Sequence, residues 1–297
     1  MTCACPLCRA DATTLVLAAA RDRNRARSDE TWPYRRCQSC GTIFNAQPPA
    51  SPAEYYAGGY HGFDAAGRPA WEGNETLERF DAHRVALLLE HVQPGVLIEI
   101  GAGAGGFAHA AGRAGFEVFA IERDAGCCEH LSRFATAIQS GDPVGSLAAL
   151  PQARVVAMWH VLEHLANPTE VLAAAAAKLA PGGVLAIGVP NSESLQFRLL
   201  RSRWAHLDTP RHLCLIPPRT LIECLGELGC ELLLETTSDP FGQDCNRFGW
   251  ECALRRTPSE QPAPRAVARA GRAITFALRP FEQTRGSAVL MLFRRCP

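Results

Sequence analysis

Two hydrophobic periods alternate along this chain. From Asn74 to Val92 apolar residues recur at helical spacing, with Leu77, Phe80, Val85, Leu88 and Leu89 near one face, and Pro94-Gly95 ends the run. Val96–Ile100 is a short apolar run of the kind buried inside a sheet, and Glu117–Ile121, Val155–Met158 and Val184–Val189 read as further strands. Between them, helical patterns begin at Phe107 and run from Glu170 to Leu179, the second capped by Asn167-Pro168-Thr169. Thr220–Leu228 is an amphipathic helix stopped by Gly229, followed by strands at Cys230–Thr236 and Ala288–Phe293. Strands alternating with helices predict an α/β fold around an open, largely parallel sheet, with ligands beyond the carboxyl ends of the strands.

The junction after the first of these strands carries the chemistry. Gly101-Ala-Gly103-Ala-Gly105-Gly106 follows Ile100 at once and opens into a helix, which lets backbone approach a nucleotide cofactor closely. The next strand ends in Glu122, twenty-one residues after Gly101, where a carboxylate accepts both hydroxyls of an adenosine ribose. Gly101, Gly103 and Gly106 satisfy the dinucleotide fingerprint, but Glu99 lies two residues before the first glycine. That carboxylate repels a pyrophosphate and attracts the sulfonium-and-ammonium end of S-adenosylmethionine.

With Glu99-Ile-Gly101-Ala-Gly103-Ala-Gly105-Gly106-Phe107 and Glu122, the chain resembles the class I S-adenosylmethionine-dependent methyltransferases. Val161-Leu-Glu163-His164 and Leu179-Ala-Pro181-Gly182-Gly183 carry the resemblance further, over roughly residues 75 to 240 plus the last strand. The resemblance implies a Rossmann-like, doubly wound seven-stranded sheet with an antiparallel last strand. It places Glu99, Gly101, Gly103 and Gly105 at the methionine end of the cofactor, Glu122 at the ribose, and Trp159 and His160 beside them. One departure is Ala153-Arg154, where an acidic residue often opens the fourth strand. His160-x-x-Glu163-His164 also matches an inverted zinc-peptidase motif, but Asn167-Pro168 ends the segment too soon for the continuous helix such a site needs.

Residues 191–218 contain Trp204-Ala-His206-Leu-Asp208-Thr-Pro210-Arg211-His212, a stretch similar to one found in related methyltransferases. Arg211 is a candidate for holding a phosphate or carboxylate of the substrate, against a plain pairing with Asp208. His212 is the first candidate for general base, with His160 and His164 behind it. Tyr56 and Tyr60, in an aromatic and glycine-rich connector, are candidate substrate contacts.

Cysteine usage adds a second site. Cys5-Pro-Leu-Cys8 and Cys37-Gln-Ser-Cys40-Gly41 are two C-x-x-C pairs separated by twenty-eight residues, which is zinc-ribbon spacing. Four thiolates with no open position predict a structural zinc, and Cys3 is the expected non-ligand. Thr13–Ala18 reads as a strand of this ribbon and Arg21–Arg27 as a solvated hairpin tip. Few large apolar side chains lie in this stretch, so the metal is expected to hold it together. The other eight of the thirteen cysteines show no ligand spacing and are expected to be small buried hydrophobes.

The expected organisation is a zinc ribbon at 1–50, an aromatic connector and helix at 51–93, and a methyltransferase core at 94–240 plus 287–295. Residues 241–286 are expected to form an insertion on the active-site rim, mobile over its Pro-, Arg- and Ala-rich middle, 256–272. Lys+Arg 30 against Asp+Glu 30 argues against a nucleic-acid partner, and no apolar stretch is long enough for a membrane span. The start of the sequence shows no charged-then-apolar leader, so a cytoplasmic location is expected. The expected function is methyl transfer to a small molecule, a hydroxyl of a sugar or natural-product intermediate. The alternatives are a ribosomal-RNA base methyltransferase that reads RNA with its ribbon, and a non-catalytic zinc protein with a degenerate cofactor fold.

Overall fold

The computed structural model describes residues 4–26, 28–56, 62–64, 67–255 and 264–297. Its first elements are strands β1 (Thr13–Ala20), β2 (Trp32–Cys37) and β3 (Ile43–Asn45). Helix α1 (Glu75–Leu89) follows, capped by the Asn74 side chain, which accepts from the Thr76 and Leu77 amides. Then come β4 (Val96–Ile100), α2 (Gly106–Arg113), β5 (Glu117–Glu122), α3 (Ala125–Leu131), β6 (Thr136–Gln139) and α4 (Pro143–Ala149). The chain continues through β7 (Ala153–Trp159), α5 (Pro168–Lys178), β8 (Leu179–Pro190), α6 (Leu195–Leu200) and β9 (Cys214–Leu215). It closes with α7 (Pro218–Glu227), β10 (Cys230–Thr236), α8 (Pro240–Leu254), α9 (Arg265–Arg285) and β11 (Ala288–Arg295).

Seven strands form the central sheet in the order β10-β11-β8-β7-β4-β5-β6. The β4, β5, β6, β7 and β8 neighbours pair in parallel, and β11 runs antiparallel between β8 and β10. This is the doubly wound Rossmann-like fold. Its middle strands are largely apolar because helices cover both faces: Leu97, Ile98, Val155, Val156, Val184 and Leu185 are all fully buried. Strand order reverses beside β4, so the carboxyl ends of β4, β5 and β7 open onto one crevice. Among the described residues no helix is long and apolar enough to cross a membrane.

Strands β1, β2 and β3 form a second sheet, but not an independent one. Its fourth strand is β9, from the 191–218 segment, with Ile43 opposite Leu215 and Phe44 opposite Cys214. Trp32, Tyr34 and Ile43 share a buried cluster with Phe197, Trp204 and Leu207. The metal alone therefore does not carry the first fifty residues, because large side chains from the later segment complete their core. Nor is the tip after β1 wholly solvated: Asp22 is buried at 2% exposure against Arg211.

The stretch between β10 and β11 is a helical pair, α8 and α9. Trp250 Nε1 and Gln196 Nε2 both donate to Glu282 Oε1, at 2.8 and 3.1 Å, tying α8 and α6 to α9. Residues 265–272, expected to be mobile, are the first two turns of α9. Two expected core cysteines also differ, since Cys296 is exposed and Cys224 only half-buried.

Candidate active site

The crevice at the β4, β5 and β7 ends is a cavity of about 590 Å3. The loop after β4 turns through three glycines in the left-handed region, Gly101, Gly103 and Gly105. At Gly101 (φ +73) a Cβ would lie 2.5 Å from Val161 Cγ2, so only glycine lets the strand end meet the 160–165 segment. At Gly105 (φ +83) a Cβ would strike Leu131 and Phe134 at 2.7 and 2.8 Å. Gly101, Gly103, Gly105 and Gly106 thus bring the backbone to the cavity wall at the start of α2.

Two carboxylates flank this loop. Glu122, at the end of β5, accepts from the backbone N–H of Gly103 (2.9 Å), Arg123 (2.7 Å) and Asp124 (3.0 Å). Glu99, inside β4, is 3% exposed, and its Oε2 has no hydrogen-bond partner in the protein. Burial, with the Asp81 carboxylate nearby, pushes Glu99 well above the usual carboxylate range. An orphaned buried oxygen beside a glycine cradle fits a ligand with a cationic donor, such as the ammonium and sulfonium end of S-adenosylmethionine.

Helix α1 supplies two cavity residues that pattern reading passed over. Asp81 pairs with Arg84 at 3.0 Å, and the Arg84 guanidinium lies 4.5 Å from the Trp159 ring and 4.8 Å from that of Phe241. Both stand on the helix face that also buries Phe80, Val85 and Leu88. Their i,i+3 spacing on an apolar face was the available signal. Trp159 lines the cavity edge-on to Phe107, with ring centroids 5.2 Å apart.

The imidazoles separate into two sets. His160 and His164 line the cavity. They lie on a loop and a single tight turn, Leu162–His164, so the peptidase arrangement of a continuous helix is absent. His160 has a left-handed backbone (φ 57), its side chain is a quarter exposed, and its Nδ1 is 3.3 Å from Glu163 Oε1. Such a backbone at a non-glycine residue is characteristic of functional sites. His164 Nδ1 lies 3.0 Å from the Arg211 carbonyl and 3.1 Å from the Tyr56 hydroxyl. Tyr56 also borders the cavity, and burial pushes its phenol up to about 12.

Two candidates from the 204–212 stretch are corrected. His212 does not border the cavity; it sits behind His164, with ring centroids 4.7 Å apart, and its Nδ1 faces the His206 carbonyl at 2.9 Å. Burial drives its imidazole down to about 4. Arg211 is not aimed at a substrate either. Its guanidinium is fully buried between Asp208 and Asp22, each contacted through two nitrogens at 2.7–3.0 Å. Tyr60 and Cys3 lie outside the described residues.

The four ribbon cysteines converge beside the start of α5, where Thr169 Oγ1 donates to the Leu7 carbonyl at 2.8 Å. Cys5 and Cys40 Sγ are 3.6 Å apart, Cys8 and Cys37 Sγ 3.5 Å, and all four lie within 4.8 Å of one another. Hydrogen bonding from Cys5 draws the Cys40 thiol down to about 4. Thr220 Oγ1 bonds the Cys40 carbonyl at 2.6 Å, fastening this knuckle to α7.

Residues 74–235, more than half of the chain, match the family model described as a methyltransferase domain. No curated protein sequence matches. Among solved structures, a SAM dependent methyltransferase from Archaeoglobus fulgidus is 17% identical, covering 73% of this chain and 94% of its own, with a TM-score of 0.49. Magnesium protoporphyrin IX methyltransferase from Synechocystis PCC 6803 is 13% identical, covering 82% and 92%, at 0.48. Geranyl diphosphate C-methyltransferase from Streptomyces coelicolor A3(2) is 15% identical, covering 72% and 77%, also at 0.48.

Proposed function

From the premise that the chain belongs to the class I S-adenosylmethionine-dependent methyltransferases, we propose that its acceptor is a hydroxyl of a small molecule, of the sugar or natural-product-intermediate class. The observation that carries this reading is His160, an imidazole on the wall of the cavity that holds the glycine loop, Glu99 and Glu122. S-adenosylmethionine supplies the methyl group as a sulfonium electrophile, so the protein's part is alignment and proton handling. Glu99 and the Gly101–Gly105 backbone hold the methionine end, and Glu122 turns its oxygens to the ribose. Glu163 keeps the His160 ring oriented through Nδ1, so that Nε2 accepts the proton of the acceptor hydroxyl. Tyr56 and Phe241, on the rim, contact the acceptor. The cavity volume is in the range of small-molecule sites.

The test is transfer of labelled methyl to a panel of sugars, sugar nucleotides, hydroxylated aromatics and total RNA. Label is expected on a small hydroxylated acceptor. Glu122→Ala is expected to weaken cofactor binding about tenfold or more by calorimetry, since charge-assisted hydrogen bonds to the ribose are lost. Label on RNA alone, or unchanged cofactor affinity in the variant, contradicts the reading.

In the same reading the four cysteines hold a structural zinc. Thiolates around tetrahedral zinc stand about 3.8 Å apart, so the present cluster needs only a slight expansion. Metal analysis is expected to give a tightly held zinc at this cluster that Cys37→Ser loses, with the β1–β3 sheet destabilised. A folded protein with no zinc contradicts it.

A further inference from the structure

We propose that Glu163, His164 and His212 form a second metal site, for one divalent transition-metal ion, separate from the four-cysteine cluster. Each residue offers a ligand atom, and the three atoms lie within 4.8 Å of one another. Glu163 is 2% exposed, and neither of its carboxylate oxygens has a hydrogen-bond partner. A buried carboxylate whose nearest donors are the His160 and His212 rings, at 3.3 and 3.8 Å, is costly, and the natural remedy is a cation.

The imidazoles are set as ligands. His212 Nδ1 meets the His206 carbonyl at 2.9 Å, which fixes the proton there and leaves Nε2 as the lone-pair nitrogen. That Nε2 is 3.8 Å from Glu163 Oε1 and 3.7 Å from Asp208 Oδ2. His164 Nδ1 lies 3.0 Å from the Arg211 carbonyl and 3.1 Å from the Tyr56 hydroxyl, which fix its ring against the Glu163–His212 pair. Metal-bound histidines characteristically donate their other ring N–H to a backbone carbonyl, as His212 does here. Ligand atoms around a tetrahedral ion with bonds near 2.1 Å stand about 3.4 Å apart, close to the 3.8 Å of the Glu163–His212 pair.

Two imidazoles and one carboxylate select an ion of the Zn2+, Co2+ or Fe2+ kind over Mg2+ or Ca2+, which take oxygen ligands. The ion would sit directly behind His164, joining the 160–165 segment to the 206–214 segment and fixing one wall of the cavity. His160 Nδ1, 3.3 Å from the same Glu163 oxygen, shares the carboxylate's remaining acceptor capacity.

The test uses the full chain with its cysteine-site metal in place, titrated with Co2+ and followed by visible absorption. One further equivalent is expected, with d–d bands and no sulfur-to-metal charge transfer. Glu163→Gln, which preserves volume, and His212→Gln are each expected to weaken it about tenfold or more. No added Co2+ signal, a signal with thiolate charge transfer, or equal affinity in both variants overturns the proposal. Should His212→Gln fail to fold, the wild-type titration and Glu163→Gln decide it.

Discussion

Replacing Arg211 by methionine is expected to lower the unfolding free energy by about 3–5 kcal/mol, because it strands buried carboxylates. The guanidinium makes four charge-assisted hydrogen bonds at 2.7–3.0 Å to Asp22 and Asp208 and is itself fully buried. Methionine fills comparable space but offers neither charge nor donor. The pH dependence has a definite sign. Burial alone would raise Asp208, but hydrogen bonding from Arg211, together with the charges of Arg211 and the nearby imidazoles, more than offsets it and holds the group well below the usual carboxylate range. Its contribution is therefore full above the unfolded value near 4 and is lost only as pH falls through the lower folded value. Without Arg211 burial dominates at Asp208, so the variant's deficit narrows between pH 7 and pH 5 as that carboxyl takes a proton. Urea unfolding at both pH values checks this; a deficit under about 1 kcal/mol at pH 7, or one that widens at pH 5, contradicts it.

That clamp also explains which parts of the site were legible in the sequence. The cofactor side was, because its signals are local: a buried strand, a glycine loop and an acid at the end of the next strand all sit within Val96–Glu122. The antiparallel pairing of β10 with β11 followed from the family resemblance despite the long insertion between them. The acceptor side was not. Arg211 and His212 carry the same side chains whether they face a substrate or the interior, and what turns them inward is Asp22, 189 residues away from Arg211. The same distance in sequence hid the union of β3 with β9, since a two-residue strand has no period to read. Asp81 and Arg84 were passed over because charged residues on a helix are ordinarily solvated.

With His212 behind the wall, we assign the proposed proton-accepting role to His160. Asparagine is the informative replacement there, since it tolerates the left-handed backbone at φ 57 while removing the imidazole. His160→Asn leaves Glu99, the glycine loop and Glu122 untouched, so cofactor affinity should hold while the chemical step slows. A general base contributes a factor of about 10²–10⁴, larger than any other single side chain in the cavity should supply. The Glu163 carboxylate cannot take over, being 2% exposed and turned towards the imidazoles rather than the cavity.

The most direct measurement is therefore single-turnover methyl transfer to the hydroxylated acceptor by wild type and His160→Asn, with cofactor affinity measured on both. The account predicts a chemical step slowed about 10²–10⁴-fold with cofactor affinity within about threefold of wild type. A chemical step within about threefold of wild type at unchanged cofactor affinity would contradict it.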